Sequence, residues 1–137
     1  FINQWRESLE NSNKCFFFYR NYKRDFGQER YITFLPDIYV LQLMKFRCSN
    51  HKLAVEQGRR NGTPREERLC SQCDMNVLGD ELHFVLECPA YQQDRPLIPL
   101  NFRRPISTFN FCRLMSLKIS PKNVLKLAKF VKASKLV

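Results

Sequence analysis

Glycine is scarce in this 137-residue chain: four residues, at 27, 58, 62 and 79, too scattered to cradle a phosphate. Histidine is scarcer, with only His51 and His83. The carboxylates do not cluster. Glu66-Glu67 and Asp80-Glu81 read as loop and helix-cap residues, so the grouped acids that a nuclease needs for its metal ions cannot be assembled. No apolar run approaches the ~18 residues of a membrane span. No signal-peptide pattern opens the chain. Lacking a catalytic set, a phosphate loop and a span, the chain is expected to be non-catalytic and to have no membrane partner. It begins at Phe1 rather than Met, which is read as the mark of a piece cut from something longer.

Acid is missing from one whole region. Residues 1–94 hold 13 Lys/Arg and 13 Asp/Glu, which cancel. Residues 95–137 hold Arg95, Arg103, Arg104, Arg113, Lys118, Lys122, Lys126, Lys129, Lys132 and Lys135 with no acid, so the net charge of +10 sits there. This asymmetry points to a polyanion, nucleic acid ahead of a membrane surface. Lysines kept for solubility are the bland alternative.

What the chain does have is phenylalanine, twelve of them, and six cysteines. Cys70, Cys73 and Cys88 fall within 19 residues, with His83 among them, at Cys-x2-Cys-x9-His-x4-Cys. Four soft or borderline ligands so close together suit a tetrahedral zinc ion, and the two-residue gap lets a tight knuckle turn both first sulfurs onto it. With all four positions taken, none is left for water, so the site is expected to be structural rather than hydrolytic. Ordinary buried thiols beside a core histidine are the alternative. A redox dithiol would sit near a βαβ pattern, which is not seen. Cys15, Cys48 and Cys112 are isolated in apolar surroundings and read as reduced core residues. That usage favours a reducing compartment; an intracellular location is expected, nuclear ahead of cytoplasmic.

The helix carrying His83 has its own logic. Asp80 is a good N-cap and Glu81 places negative charge in the first turn. Leu82, Val85 and Leu86 make a buried stripe. His83 and Cys88 are five residues apart, which leaves them about 140° apart around a continuous α-helix. The helix must therefore end before Cys88, and Pro89 pushes Cys88 out of the α region.

Elsewhere the pattern is helical. Residues 2–12 read as a polar helix with Ile2, Trp5 and Leu9 on one side. Residues 14–24 are aromatic and basic. Phe16, Phe17, Phe18, Tyr19 and Tyr22 suit a helix core more often than base stacking. Residues 36–47 are the strongest helix, with Pro36 and Asp37 at its start and little polar surface, so it should be central. Residues 50–58 predict a second helix ending at Gly58, with Lys52 and Glu56 as an i, i+4 pair. A charged loop follows, in which Arg59, Arg60, Arg65 and Arg68 either contact phosphates or are simply solvated. His51 is read as bonding Glu56, supporting the metal site from outside, or rivalling His83 as its fourth ligand. Short helices are expected over 89–95 and 107–116. Ser120 caps a last helix over 121–135, with Val124, Leu127, Ala128 and Val131 on one face and Lys122, Lys126 and Lys129 on another.

The runs KFRCSNHKLAVEQGRR, REERLCSQC and DELHFVLECPAYQQDR, over about residues 45–95, resemble the C-terminal region of non-LTR (LINE-type) retrotransposon reverse transcriptases. The matching signature is His51, Leu53, Glu56, Gly58 and Arg59, followed by Cys70, Cys73, His83 and Cys88. The family's polymerase motif with its catalytic aspartates is absent, as is any endonuclease domain. The resemblance implies a Zn2+-binding, RNA- or DNA-binding module of such a polyprotein. The expected architecture is mainly α, a small helical domain around a CCHC zinc knuckle with a basic C-terminal helix. Residues 1–35 form an aromatic and basic segment, 36–98 the signature and knuckle core, and 99–137 a basic tail. Candidate nucleic-acid contacts are Arg47, His51, Arg59, Arg60, Arg65, Arg68, Arg103, Arg104, Lys122, Lys126 and Lys129. The competing expectation is a domesticated or intramolecular protein-interaction module with a purely structural zinc site, docking on a partner such as the parent polymerase domain through residues 16–22 and the apolar face of the last helix.

Overall fold

The computed structural model of the protein describes residues 1–11 and 17–137. Cys15 and Phe16 lie outside them. The architecture is mainly helical, and no strand occurs among the described residues. Among the described residues eight α-helices follow one another: α1 (Ile2–Asn11), α2 (Tyr19–Tyr22), α3 (Tyr31–Phe34), α4 (Asp37–Arg47), α5 (Ala54–Arg60), α6 (Leu100–Arg103), α7 (Thr108–Met115) and α8 (Pro121–Ser134). No described helix is long and apolar enough to cross a membrane.

The centre of the molecule is the packing of α8 on α4. Ser120 caps α8 by accepting from the Asn123 N–H, with Pro121 at the first turn, and that start sets the phase of the helix. Val124, Leu127, Ala128, Phe130 and Val131 then point inward and are each fully buried. A large side chain so placed contributes roughly 1.5–3 kcal/mol. The four large ones together rival the net stability of a whole domain. The C-terminal stretch expected as a tail is therefore part of the core, which runs from Phe18 to Val131 across all three expected segments. The α8 face proposed to dock on a partner is already covered.

Helix α4 is central as expected, with Leu43 and Phe46 buried. Its other side is not covered: Ile38, Leu41 and Met44 stand 40–48 % exposed. The aromatic segment divides between core and surface. Phe18 and Tyr22 are buried, whereas Phe17 is 40 % exposed. Helix α1 has no buried residue; Phe1 and Trp5 meet the Phe26 ring edge-on at 5.9 and 5.4 Å.

Helix α5 starts at Ala54, later than expected, because residues 51–53 are held otherwise. The Lys52 N–H donates to the Leu136 carbonyl, and the Leu53 N–H to His51 Nδ1. Glu56 consequently pairs with Arg59 at 2.7 Å instead of Lys52.

Candidate metal centre

The knuckle is built from a narrow loop and a widened helical turn. The loop is closed by an antiparallel bridge between Leu69 and Leu78 and by the Cys70 N–H donating to the Val77 carbonyl at 2.8 Å. Gly79 ends it against Ala54 and the Cys70 backbone. A Cβ there would stand 2.8 Å from Ala54 Cβ and 2.9 Å from Cys70 Cα, so only glycine permits the approach.

The helical turn then begins at Asp80, whose Oδ1 accepts the His83 N–H at 2.9 Å, the N-cap expected. The expected helix end before Cys88 is also found, since Cys88 leaves with φ −57° and ψ 122° ahead of Pro89. A second device was not expected. Residues His83–Glu87 form a π-turn, closed by the Cys88 N–H donating to the His83 carbonyl at 2.7 Å. An i→i+5 bond widens the turn, so five residues bring the chain nearly back to its starting face. The angular mismatch of a regular α-helix is removed, and His83 and Cys88 face one point.

Four ligand atoms meet there. The sulfurs of Cys70, Cys73 and Cys88 and a ring nitrogen of His83 all lie within 4.8 Å of one another. Cys70 Sγ is 3.9 Å from Cys88 Sγ, and Cys73 Sγ is 3.3 Å from His83 Nε2. A tetrahedron with ~2.3 Å sulfur bonds and ~2.0 Å nitrogen bonds has edges of about 3.8 Å between sulfurs and about 3.5 Å from sulfur to nitrogen. The cluster thus has the dimensions of a metal site, and 3.9 Å is far too long for a disulfide. Hydrogen bonding from the Met75 backbone N–H, then from His83 and the neighbouring thiols, lowers the Cys73 thiol below its ordinary value. Burial pushes the Cys88 thiol up to about 12.

Around the ligands stands a set of supports. Glu87 Oε2 lies 2.9 Å from His83 Nδ1, on the ring edge away from the cluster. A carboxylate there fixes the ring and leaves Nε2 free for a metal. His51 settles among its three readings: Nδ1 accepts the Leu53 N–H, so Nε2 donates to Glu81 at 2.8 Å. It is 2 % exposed and supports the ligand-bearing turn from outside. Arg95, buried, donates to the carbonyls of Val85 at 3.0 Å, Phe84 at 3.1 Å and Cys88. These are carbonyls at the end of the widened turn, left without an ordinary helical partner. Phe84 stacks on Phe130 of α8 at 4.9 Å, joining the centre to the core.

The expected nucleic-acid contacts are scattered over several settings. Arg47 is interior: it pairs with Glu29 at 3.0 Å, donates to the Met115 carbonyl and lies over the rings of Tyr19, Tyr22 and Tyr31. With 2 % exposure, Arg47 is no surface contact, and neither is His51. Arg59 is half-buried and held by Glu56. Arg68 is half-buried and donates to the Thr63 and Val55 carbonyls. Arg65 lies over the Phe17 ring at 4.0 Å. Arg60, Arg104, Lys122 and Lys129 are exposed, while Arg103 and Lys126 are half-buried.

Glu87, Arg95 and Gly79 escaped the sequence reading. Glu87 had a signal, a carboxylate four residues after a histidine on a helix. Arg95 had none, because its acceptors depend on the π-turn.

No family model matches this chain, and neither does any curated protein or solved structure.

Proposed function

We propose that the chain is a zinc-stabilised nucleic-acid-binding module, of the kind found at the C-terminus of LINE-type reverse transcriptases. The metal is Zn2+, since three thiolates and one imidazole at tetrahedral spacing suit that ion. The ion is structural, because the four protein ligands complete the coordination and leave no position for a reacting water. The module itself performs no catalysis.

The observation that carries the nucleic-acid reading is the placement of charge by α8. Its apolar face is locked into the core, which leaves Lys122, Lys129 and Lys132 exposed on a stretch of sequence, 95–137, that contains no acid. Phosphates neutralised by such lysines release counterions, so affinity falls steeply with salt. Titration of the intact protein with single-stranded RNA and with duplex DNA, between 50 and 200 mM salt, tests this. Binding that weakens by about tenfold or more over that range, and that is reduced by the combined Lys122→Glu, Lys126→Glu and Lys129→Glu changes, is expected. Affinity that is flat with salt contradicts it.

One observation favours a second reading. Ile38, Leu41 and Met44 stand exposed along α4, as they would on a protein that docks on another. Failure of both nucleic acids to bind selects that reading.

A further inference from the structure

A cleft of about 440 Å³ lies between Phe17 and the loop after α5, lined by Arg59, Thr63, Pro64, Arg65 and Arg68. Its volume falls within the range of small-ligand sites. Phe17 is an unusual lining residue, an exposed ring backed by a buried one. It packs edge-on against Phe18 at 5.1 Å, and Phe18 is buried edge-on against Phe111 at 4.8 Å. The Arg65 guanidinium carbon lies only 4.0 Å from the Phe17 centroid, the spacing of a layered contact. Two edge-on ring contacts thus tie Phe17 to the core, and the guanidinium lies over its ring at the cleft.

The charge balance of the cleft is positive. Arg59 is offset by Glu56 at 2.7 Å. Arg68 is oriented by two carbonyl acceptors, which fix its direction without cancelling its charge. Arg68, and Arg65 with the Asp80 carboxylate in its field, are left to supply the positive charge. Glu66 and Glu67 follow Arg65 in sequence but do not line the cleft.

We propose that this cleft holds one unpaired nucleotide of a single-stranded nucleic acid, its base stacked on the outer face of Arg65 and its phosphate turned toward Arg68. A flat π-surface beside a fixed positive charge matches a base joined to a phosphate. A duplex hides its base faces, so the cleft selects single strands, whereas the α8 lysines meet phosphates of either form. This assignment rests on the nucleic-acid reading above.

The test is a set of titrations of the intact, metal-loaded protein. The probes are a labelled RNA of about 12 nucleotides, DNA of the same sequence, duplex DNA and polyglutamate. The variants are Phe17→Ala, Arg65→Lys and the triple lysine change. Arg65→Lys keeps the charge but removes the plane, and it guards against a folding defect in Phe17→Ala. Both are expected to weaken single-strand binding by about 5- to 100-fold and to leave duplex binding unchanged. The triple change should weaken both forms. Single-strand binding untouched by Phe17→Ala and Arg65→Lys overturns the cleft assignment while the functional reading stands. Polyglutamate binding as tightly as RNA, and lost in the same two variants, overturns it too. A wild-type protein that binds no nucleic acid removes the functional reading itself, and the cleft assignment with it.

Discussion

His83 is pulled from both sides of its ring. Nε2 faces Cys73 Sγ at 3.3 Å, and Nδ1 is held by Glu87 at 2.9 Å. Removing the carboxylate leaves the ligand in place but loosens its direction. Glu87→Ala should therefore weaken metal binding by about 10- to 100-fold without abolishing it, as read by competition with a chromophoric chelator. Unchanged affinity would make Glu87 a bystander. Cys88 gives a pH dependence of known sign. Burial pushes its thiol up to about 12, so in the metal-free protein it keeps its proton at neutral pH. A metal must displace that proton, and apparent affinity should rise about tenfold per pH unit from this thiol alone. In the absence of metal the raised value favours the folded state only while the thiol is protonated. That contribution is present below ~8.5 and is lost as pH climbs toward about 12. Competition titrations at pH 6.5 and 7.5 check the first statement, and metal affinity independent of pH contradicts it.

The widened turn His83–Glu87 and the loop that ends at Gly79 are the elements on which the centre depends. Gly79→Ala forces a methyl against Ala54 and the Cys70 backbone, neither of which is a flexible side-chain end. The expected result is a loss of about 1–3 kcal/mol in stability, read by denaturant unfolding, together with weaker metal binding because Cys70 is displaced. At this scale the sequence was informative where the chemistry was local. The Asp80 cap, the exit at Cys88 before Pro89 and the Ser120 start of α8 are set by neighbouring residues, and all appear as expected. The ligand set was legible too, because three cysteines and a histidine at that spacing have few other uses. The π-turn was not legible. Nothing in HFVLE distinguishes a widened turn from an ordinary one, since the difference is set by where Cys88 must arrive. Arg47 misled for a related reason. An arginine at a helix end resembles a surface charge until Glu29 and three tyrosines, distant in sequence, close around it.

Across the molecule, the metal centre and the helical core are one structure. Phe84 sits in the ligand-bearing turn and stacks on Phe130, whose helix packs against α4. The same packing turns the α8 lysines outward. Loss of the ion should therefore loosen more than the knuckle: a chelator is expected to lower the melting temperature of the whole chain as a single transition. The most direct test is X-ray absorption at the metal edge of the purified protein. One zinc per chain is expected, with three sulfurs at about 2.3 Å and one nitrogen at about 2.0 Å. A spectrum dominated by oxygen or nitrogen neighbours, or a folded protein that carries no metal, would contradict it.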